Sequence, residues 1–196
     1  MKPLILLILL VLAAPARAET PHNHAGISFT GFAGFLRHNV GSFVFFYERG
    51  LGDHHAVRVA GDFIHVHHAS DHAQSHQWTY GGSLGYRYHL RAGGGLFVGA
   101  ELGIRRGHGH FGTMDAPDHA MLKNRQLRAM LELGYRVLHP RLPLSFVARV
   151  AAGYGPYEVT TDRDDAVGAA AAQYSEDNLA ATPIAFDVEL SAAYAF

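Results

Sequence analysis

Histidine is the residue type in this chain best suited to chemistry, and its fifteen copies are unevenly spread. His65, His67, His68, His72 and His76 form one group, and His108, His110 and His119 a second. Neutral imidazole is the commonest nitrogen ligand for zinc, copper and nickel. A His-x-His pair along a strand puts two rings on one face, with Cα atoms about 7 Å apart. Asp71, Asp115 and Asp118 stand nearby in sequence, so a divalent transition-metal site is one chemistry these residues predict. The spacings of established zinc sites are absent. With no cysteine in the chain, a thiolate site and a disulfide framework are both excluded. The competing expectation is that these are rim residues, because imidazole is amphipathic and tolerates a membrane headgroup zone.

Two other groupings bear on chemistry. His68-Ala69-Ser70-Asp71 sets a hydroxyl two residues from a base, and nucleophilic catalysis needs a serine within hydrogen-bond reach of such a base. The segment resembles the His-x-Ser element of the outer-membrane lipid A deacylases, which would imply a lipid hydrolase, but it departs from that pattern where an asparagine would follow the serine. No third, orienting carboxylate stands out, so no catalytic residue is assigned and a non-enzymatic protein is expected. Asp162, Asp164, Asp165, Glu176 and Asp177 make an acidic stretch that lacks the glycine and terminal glutamate of a calcium loop. Beside it, Ala169 to Ala172 is a run suited to one helical turn.

The elements that must hold these residues are strands. The chain ends on Ile184, Phe186, Val188, Leu190, Ala192, Tyr194 and Phe196 at every second position, with small or acidic residues between them. A period of two places the apolar set on one face. The same alternation predicts eight strands, roughly 27 to 37, 40 to 49, 55 to 67, 76 to 91, 94 to 108, 122 to 138, 142 to 157 and 182 to 196. In the fourth, Trp78, Tyr80, Leu84, Tyr86, Tyr88 and Leu90 oppose Gln77, Thr79, Ser83, Arg87 and His89. In the sixth, Leu127, Leu131, Leu133, Tyr135 and Val137 oppose Arg128, Glu132 and Arg136. The first strand does not alternate cleanly, and its facing is not fixed.

Lys2, the apolar run Leu4 to Ala14 and the small-x-small Ala16-Arg17-Ala18 predict a signal peptide over residues 1 to 18, cleaved before Glu19, with one domain over 19 to 196. That mature chain keeps fourteen basic and seventeen acidic residues, a net charge of −3, and so carries no footprint for nucleic acid. Nothing after the leader approaches twenty uninterrupted apolar residues, so a membrane crossing has to use a closed sheet. The links agree with that. Gly50-Leu51-Gly52-Asp53, Arg91-Ala92-Gly93 and His139-Pro140-Arg141 are short turns, while longer loops are expected around 68 to 75, 109 to 121 and 158 to 181. Long and short links alternate as in a barrel with both termini in the periplasm; only the first link, near Arg37 to Asn39, is too short.

The alternation also sorts the charges. Arg58, Arg87, Arg105, Arg128, Arg136 and Arg149 fall on the inward face together with Glu48, Asp62, Glu101, Glu132, Asp187 and Glu189. An eight-stranded barrel is only wide enough for its own side chains, so these charges are expected to pair across the lumen and plug it. Arginine suits that role because its planar fork bonds carboxylates bidentately and keeps its charge. A soluble barrel would carry its charges outside and its aromatics inside.

The leader, the segment Val44-Phe45-Phe46-Tyr47-Glu48-Arg49-Gly50-Leu51, the strand Glu132-Leu133-Gly134-Tyr135-Arg136 and the terminal Tyr194-Ala195-Phe196 together resemble the small outer-membrane β-barrel proteins of the OmpA/OmpX-type class. The resemblance implies an all-β fold, an eight-stranded antiparallel up-and-down transmembrane β-barrel, in the outer membrane of a Gram-negative bacterium. It implies that the last strand, through Phe186, Val188, Leu190, Tyr194 and Phe196, is the signal read by the barrel-assembly machinery. The expected partners are that machinery and outer-membrane lipid, the expected state is a monomer, and no cofactor is expected unless a transition metal sits at the exterior histidine rim. The expected function is a structural or surface-interaction role through the exterior loops; the alternatives are a histidine-rich metal-binding barrel and, less favoured, a lipid A-modifying hydrolase.

Overall fold

A chain that alternates apolar and polar residues for ten or more positions lowers its free energy by pairing into a sheet whose two faces meet different surroundings. The computed structural model describes residues 23–28, 40–69, 73–92, 94–113, 119–139, 141–175 and 183–196, and within these the alternation becomes strands. In chain order they are β1 (Asn23–Ser28), β2 (Val40–Gly50), β3 (His55–Ala69), β4 (Ala73–Arg91), β5 (Gly94–Thr113), β6 (His119–Leu138), β7 (Leu144–Tyr154) and β8 (Tyr157–Thr161). A helix, α1 (Ala166–Ser175), then precedes β9 (Ile184–Ala195).

Each of β1 to β7 pairs antiparallel with its sequence neighbour, β9 pairs with β7, and β9 returns to β1, with Ile27 opposite Ala192 and His24 opposite Ala195. The result is a closed eight-stranded antiparallel barrel. Asn23 N donates to Phe196 O at 3.0 Å and Phe196 N to Asn23 O at 2.9 Å, which seals the seam between the first and last strands. Among the described residues that pairing closes the ring, with β8 attached beside β6 and paired to no second strand.

Four local differences from the sequence reading have physical causes. The expected first strand, 27 to 37, shares only Ile27 and Ser28 with β1, and the rest lies outside the described residues, as does the leader over 1 to 18. β1 escaped notice because its inward positions are His24, Gly26 and Ser28 and Ile27 is its one large apolar side chain.

The expected seventh strand, 142 to 157, divides into β7 and β8. Pro156 has no N–H to give the ladder, and at the break Gly155 N donates instead to Pro183 O at 2.7 Å. β8 then runs beside the upper half of β6, Tyr157 opposite Gln126 and Thr161 opposite Leu122. The loop expected over 109 to 121 is mostly strand, because Gly107, His108, Gly109 and His110 continue the in–out alternation of β5 with few apolar residues to reveal it. The single turn expected at Ala169 to Ala172 is a ten-residue helix.

The outer wall is apolar. Leu131 and Phe186 are 73% and 70% exposed, and Leu102, Tyr154 and Leu84 also point away from the lumen. On β6 the outward run Leu127 to Val137 covers eleven residues, as does Ile184 to Tyr194 on β9. A tilted strand of that length spans about 25 Å, the height of the apolar band on membrane barrels.

Candidate functional site

The inward face of the barrel carries a single connected set of charges. Arg149, on β7, is its hub: Nε donates to Glu189 at 2.7 Å, Nη2 to Asp187 at 2.7 Å, and Nη1 to Glu132 at 2.8 Å and Glu101 at 3.2 Å. Arg58 bonds both oxygens of Glu189 through Nη2 at 2.9 Å and reaches Glu101 at 3.3 Å. Arg87 holds Glu132 with two hydrogen bonds and Glu48 with a third at 2.7 Å. Arg136 Nη2 lies 2.6 Å from Glu48 Oε1 in ion-pair contact.

Toward the long-loop end, Arg128 bridges Glu101 at 3.1 Å and Asp62 at 3.3 Å, and Arg105 closes on Asp62 at 2.5 Å. All six guanidinium groups and six carboxylates read from the sequence as inward-facing therefore join one network. Its members are almost wholly buried, apart from Asp187 with 27% of its side chain exposed and Arg105 with 14%. Opposite charges at these distances offset part of the cost of removing them from water, and a set so connected fixes the positions of its members.

Sequence reasoning missed how room is made for these side chains. Gly99 stands opposite both Arg87 and Glu132, Gly81 opposite both Asp62 and Arg105, and Gly134 opposite Arg149. A Cβ on Gly99 would meet Tyr86 O at 2.5 Å and Glu132 Oε1 at 2.6 Å. The pattern was present in the sequence as glycines at inward positions, but it acquires meaning only once the cross-strand register is known. Also unforeseen are two aromatic rings in the lumen, Phe46 under Arg58 at 4.6 Å and Phe97 under Arg87 at 4.5 Å, which offer their electron-rich faces to buried cations.

The two ends of the network differ. At the short-turn end, His24 and Ser145 are hydrogen-bonded at 3.0 Å, and buried His89 lies against Phe97 with its Nε2 3.6 Å from Glu48. At the long-loop end, Gln77, Thr79, Asn124 and Gln126 form a buried polar layer. Above that layer α1 packs on the lumen side of β5 and β6, where Ala171, fully buried, meets Phe111, Ala120 and Leu122. Asp165 caps α1 by accepting from the N–H groups of Val167 at 3.1 Å and Gly168 at 3.0 Å.

The histidines read as metal candidates fall elsewhere. His65, His67, His76, His108 and His110 are on strands and face outward beyond the apolar band. The His67 and His76 rings stack at 4.0 Å, and His65 stacks on Trp78 at 3.9 Å. Stacked rings direct their nitrogen lone pairs side by side rather than to one point. Among the described residues no three histidine, aspartate or glutamate side chains converge in metal-holding geometry. His72, Ser70 and Asp71, and the side chains of His68 and His119, lie outside the described residues. Phe186, Val188, Leu190 and Tyr194 of β9 all face outward.

The wall is closed, apolar outside and ion-paired inside, the pattern of barrels that stand in lipid. Its fold is similar to that of CarO of Acinetobacter baumannii, an eight-stranded outer-membrane barrel, with a TM-score of 0.50 and 8% sequence identity over 92% of this chain and 100% of that one. At that identity the likeness is one of fold. No protein-family model matches the chain, and no curated protein does.

Proposed function

We propose that the protein is an outer-membrane barrel with a plugged interior that acts through its surfaces and not as a pore. The observation that carries this reading is the unbroken network from Arg136 through Arg149 to Arg105, which crosses the lumen, with α1 packed beyond it on β5 and β6. Insertion in a bilayer accounts for the outward apolar band, since an exposed patch of that extent on a soluble monomer would drive aggregation. In this reading the chain is exported, the outward residues of β9 are read during assembly, and the long-loop end faces the medium. In this reading the protein is monomeric and non-enzymatic.

Conductance in planar bilayers tests the plug. The refolded barrel is expected to insert, shown by protection of its wall from protease, and to give no stable steps of porin size. Stable open steps from the inserted wild-type chain would overturn the reading.

A further inference from the structure

The outer wall is apolar along most of its height, but on β5 and β6 it changes character at one place. Arg106 and Arg125 are directly opposite one another across the two strands, both exposed, and Lys123, the only lysine after Lys2, stands two residues beyond Arg125 opposite His108. Like charges in directly opposed positions repel and destabilise the pairing they sit on. Among the described residues none of the three cations has an ion-pair partner. The one acid beside them, Glu158 of β8, is in register with Arg125 but outside ion-pair distance, and Asp162 is engaged by the Met121 N–H at 2.8 Å.

Two features say what would relieve the repulsion. The cations flank the apolar runs of their own strands at the long-loop end, Leu96 to Ile104 on β5 and Leu127 to Val137 on β6, so in a bilayer they stand at the headgroup layer. On β4, Tyr80 is in register with Arg106 and Trp78 with His108, amphipathic rings of the kind found at that depth. Guanidinium forks match phosphate oxygens in geometry as well as charge.

We propose that the outer face of β5 and β6 at Arg106, Lys123 and Arg125 is a docking site for the phosphate groups of a lipid headgroup. This rests on the membrane reading above. Phosphates bridging Arg106 and Arg125 convert a repulsive cross-strand pair into a clamp, and Lys123 holds a second phosphate of the same headgroup or the next.

The test uses the full barrel refolded in zwitterionic phosphatidylcholine vesicles, with its folding read by electrophoretic heat-shift. It is transferred to zwitterionic micelles and titrated with bisphosphorylated lipid A, followed by Trp78 emission and native mass spectrometry. The wild type is expected to retain the phosphorylated lipid, and the triple variant R106Q/K123Q/R125Q to bind it on the order of a hundredfold more weakly, from about 1 kcal/mol for each basic residue at a membrane surface. Arg125→Gln alone serves if the triple variant misfolds, with a loss of about tenfold or less expected. Equal binding by wild type and variant, equal binding of dephosphorylated lipid, or displacement by inorganic phosphate at matched concentration would each overturn the proposal. A chain that folds but stays outside the vesicles would overturn the membrane reading instead, and this site with it.

Discussion

Arg87 on β4 and Glu132 on β6 meet across an intervening strand, Nε to Oε1 at 2.6 Å and Nη2 to Oε2 at 2.9 Å, because the residue between them on β5 is Gly99. A methyl group there would press on Glu132 Oε1 and Tyr86 O together, and the second is backbone that cannot swing away. Gly99→Ala is therefore expected to destabilise the barrel by about 1 to 3 kcal/mol, as overpacking does. Gly82→Ala is the comparison, since a Cβ there meets nothing nearer than Ala60 O at 3.6 Å and little change is expected. Urea unfolding from vesicles, read by the single tryptophan, Trp78, measures both; equal midpoints for the two variants would contradict the account.

Arg149 contacts four carboxylates, so its loss should leave the largest uncompensated charge in the lumen. Arg149→Met is expected to cost about 3 to 5 kcal/mol, the range for removing one partner of a buried pair. Asp187→Asn is expected to cost clearly less, because Asp187 is the most solvated member and pairs with Arg149 alone. The loss of heat-shifted migration at a lower temperature orders the two, and a reversed order would show that Arg149 is not the hub.

Trp78 faces outward where β4 leaves the apolar band, stacked on His65. In vesicles its emission should be quenched more by lipids brominated near the headgroup than by lipids brominated deep in the chain. In a Trp78→Phe background, Leu131→Trp should show the opposite preference, because Leu131 lies mid-band on β6. The same depth profile at both positions would be incompatible with the proposed insertion.

At the cap of α1, the bond from Arg163 holds the Asp165 carboxyl below the ordinary carboxylate range, helped by the N–H groups of Gly168 and Val167. A carboxyl depressed in the folded state favours that state above its unfolded pKa, and the contribution is lost as pH falls through the folded value. The amides of Val167 to Ala171 should then exchange slowly at neutral pH and faster once the pH falls below about 4. Asp165→Asn keeps a capping oxygen without the charge, so exchange in that variant should lose this acid sensitivity, beyond the intrinsic effect of pH on exchange.

The alternation of side chains made much of this architecture legible. Leu127 to Val137 and Ile184 to Phe196 announce an apolar wall, and the residues between them place Arg128, Glu132, Asp187 and Glu189 inside. What stayed hidden were features that depend on register or on weak patterning. β1 is too poor in apolar residues to show its period, and Pro156 ends a strand whose apolar positions otherwise continue. Arg106 and Arg125 are nineteen positions apart in sequence and become neighbours only when the β5–β6 pairing is known. The partners of each inward charge, likewise, follow from three-dimensional closure and not from spacing.

β5 and β6 have twenty residues each, whereas β7 has eleven and β9 twelve. The surplus lies wholly at the long-loop end, because at the other end Leu138 is in register with Ser145 and Leu144 with Tyr194. Eight extra residues amount to about 25 Å of strand. Among the described strands the wall therefore stands tallest at β5 and β6, with β8 carrying part of that height beside β6, and is shorter where β7 meets β9. A neighbour in the plane of the membrane would therefore meet a taller and more cationic flank at β5 and β6 than where β7 meets β9.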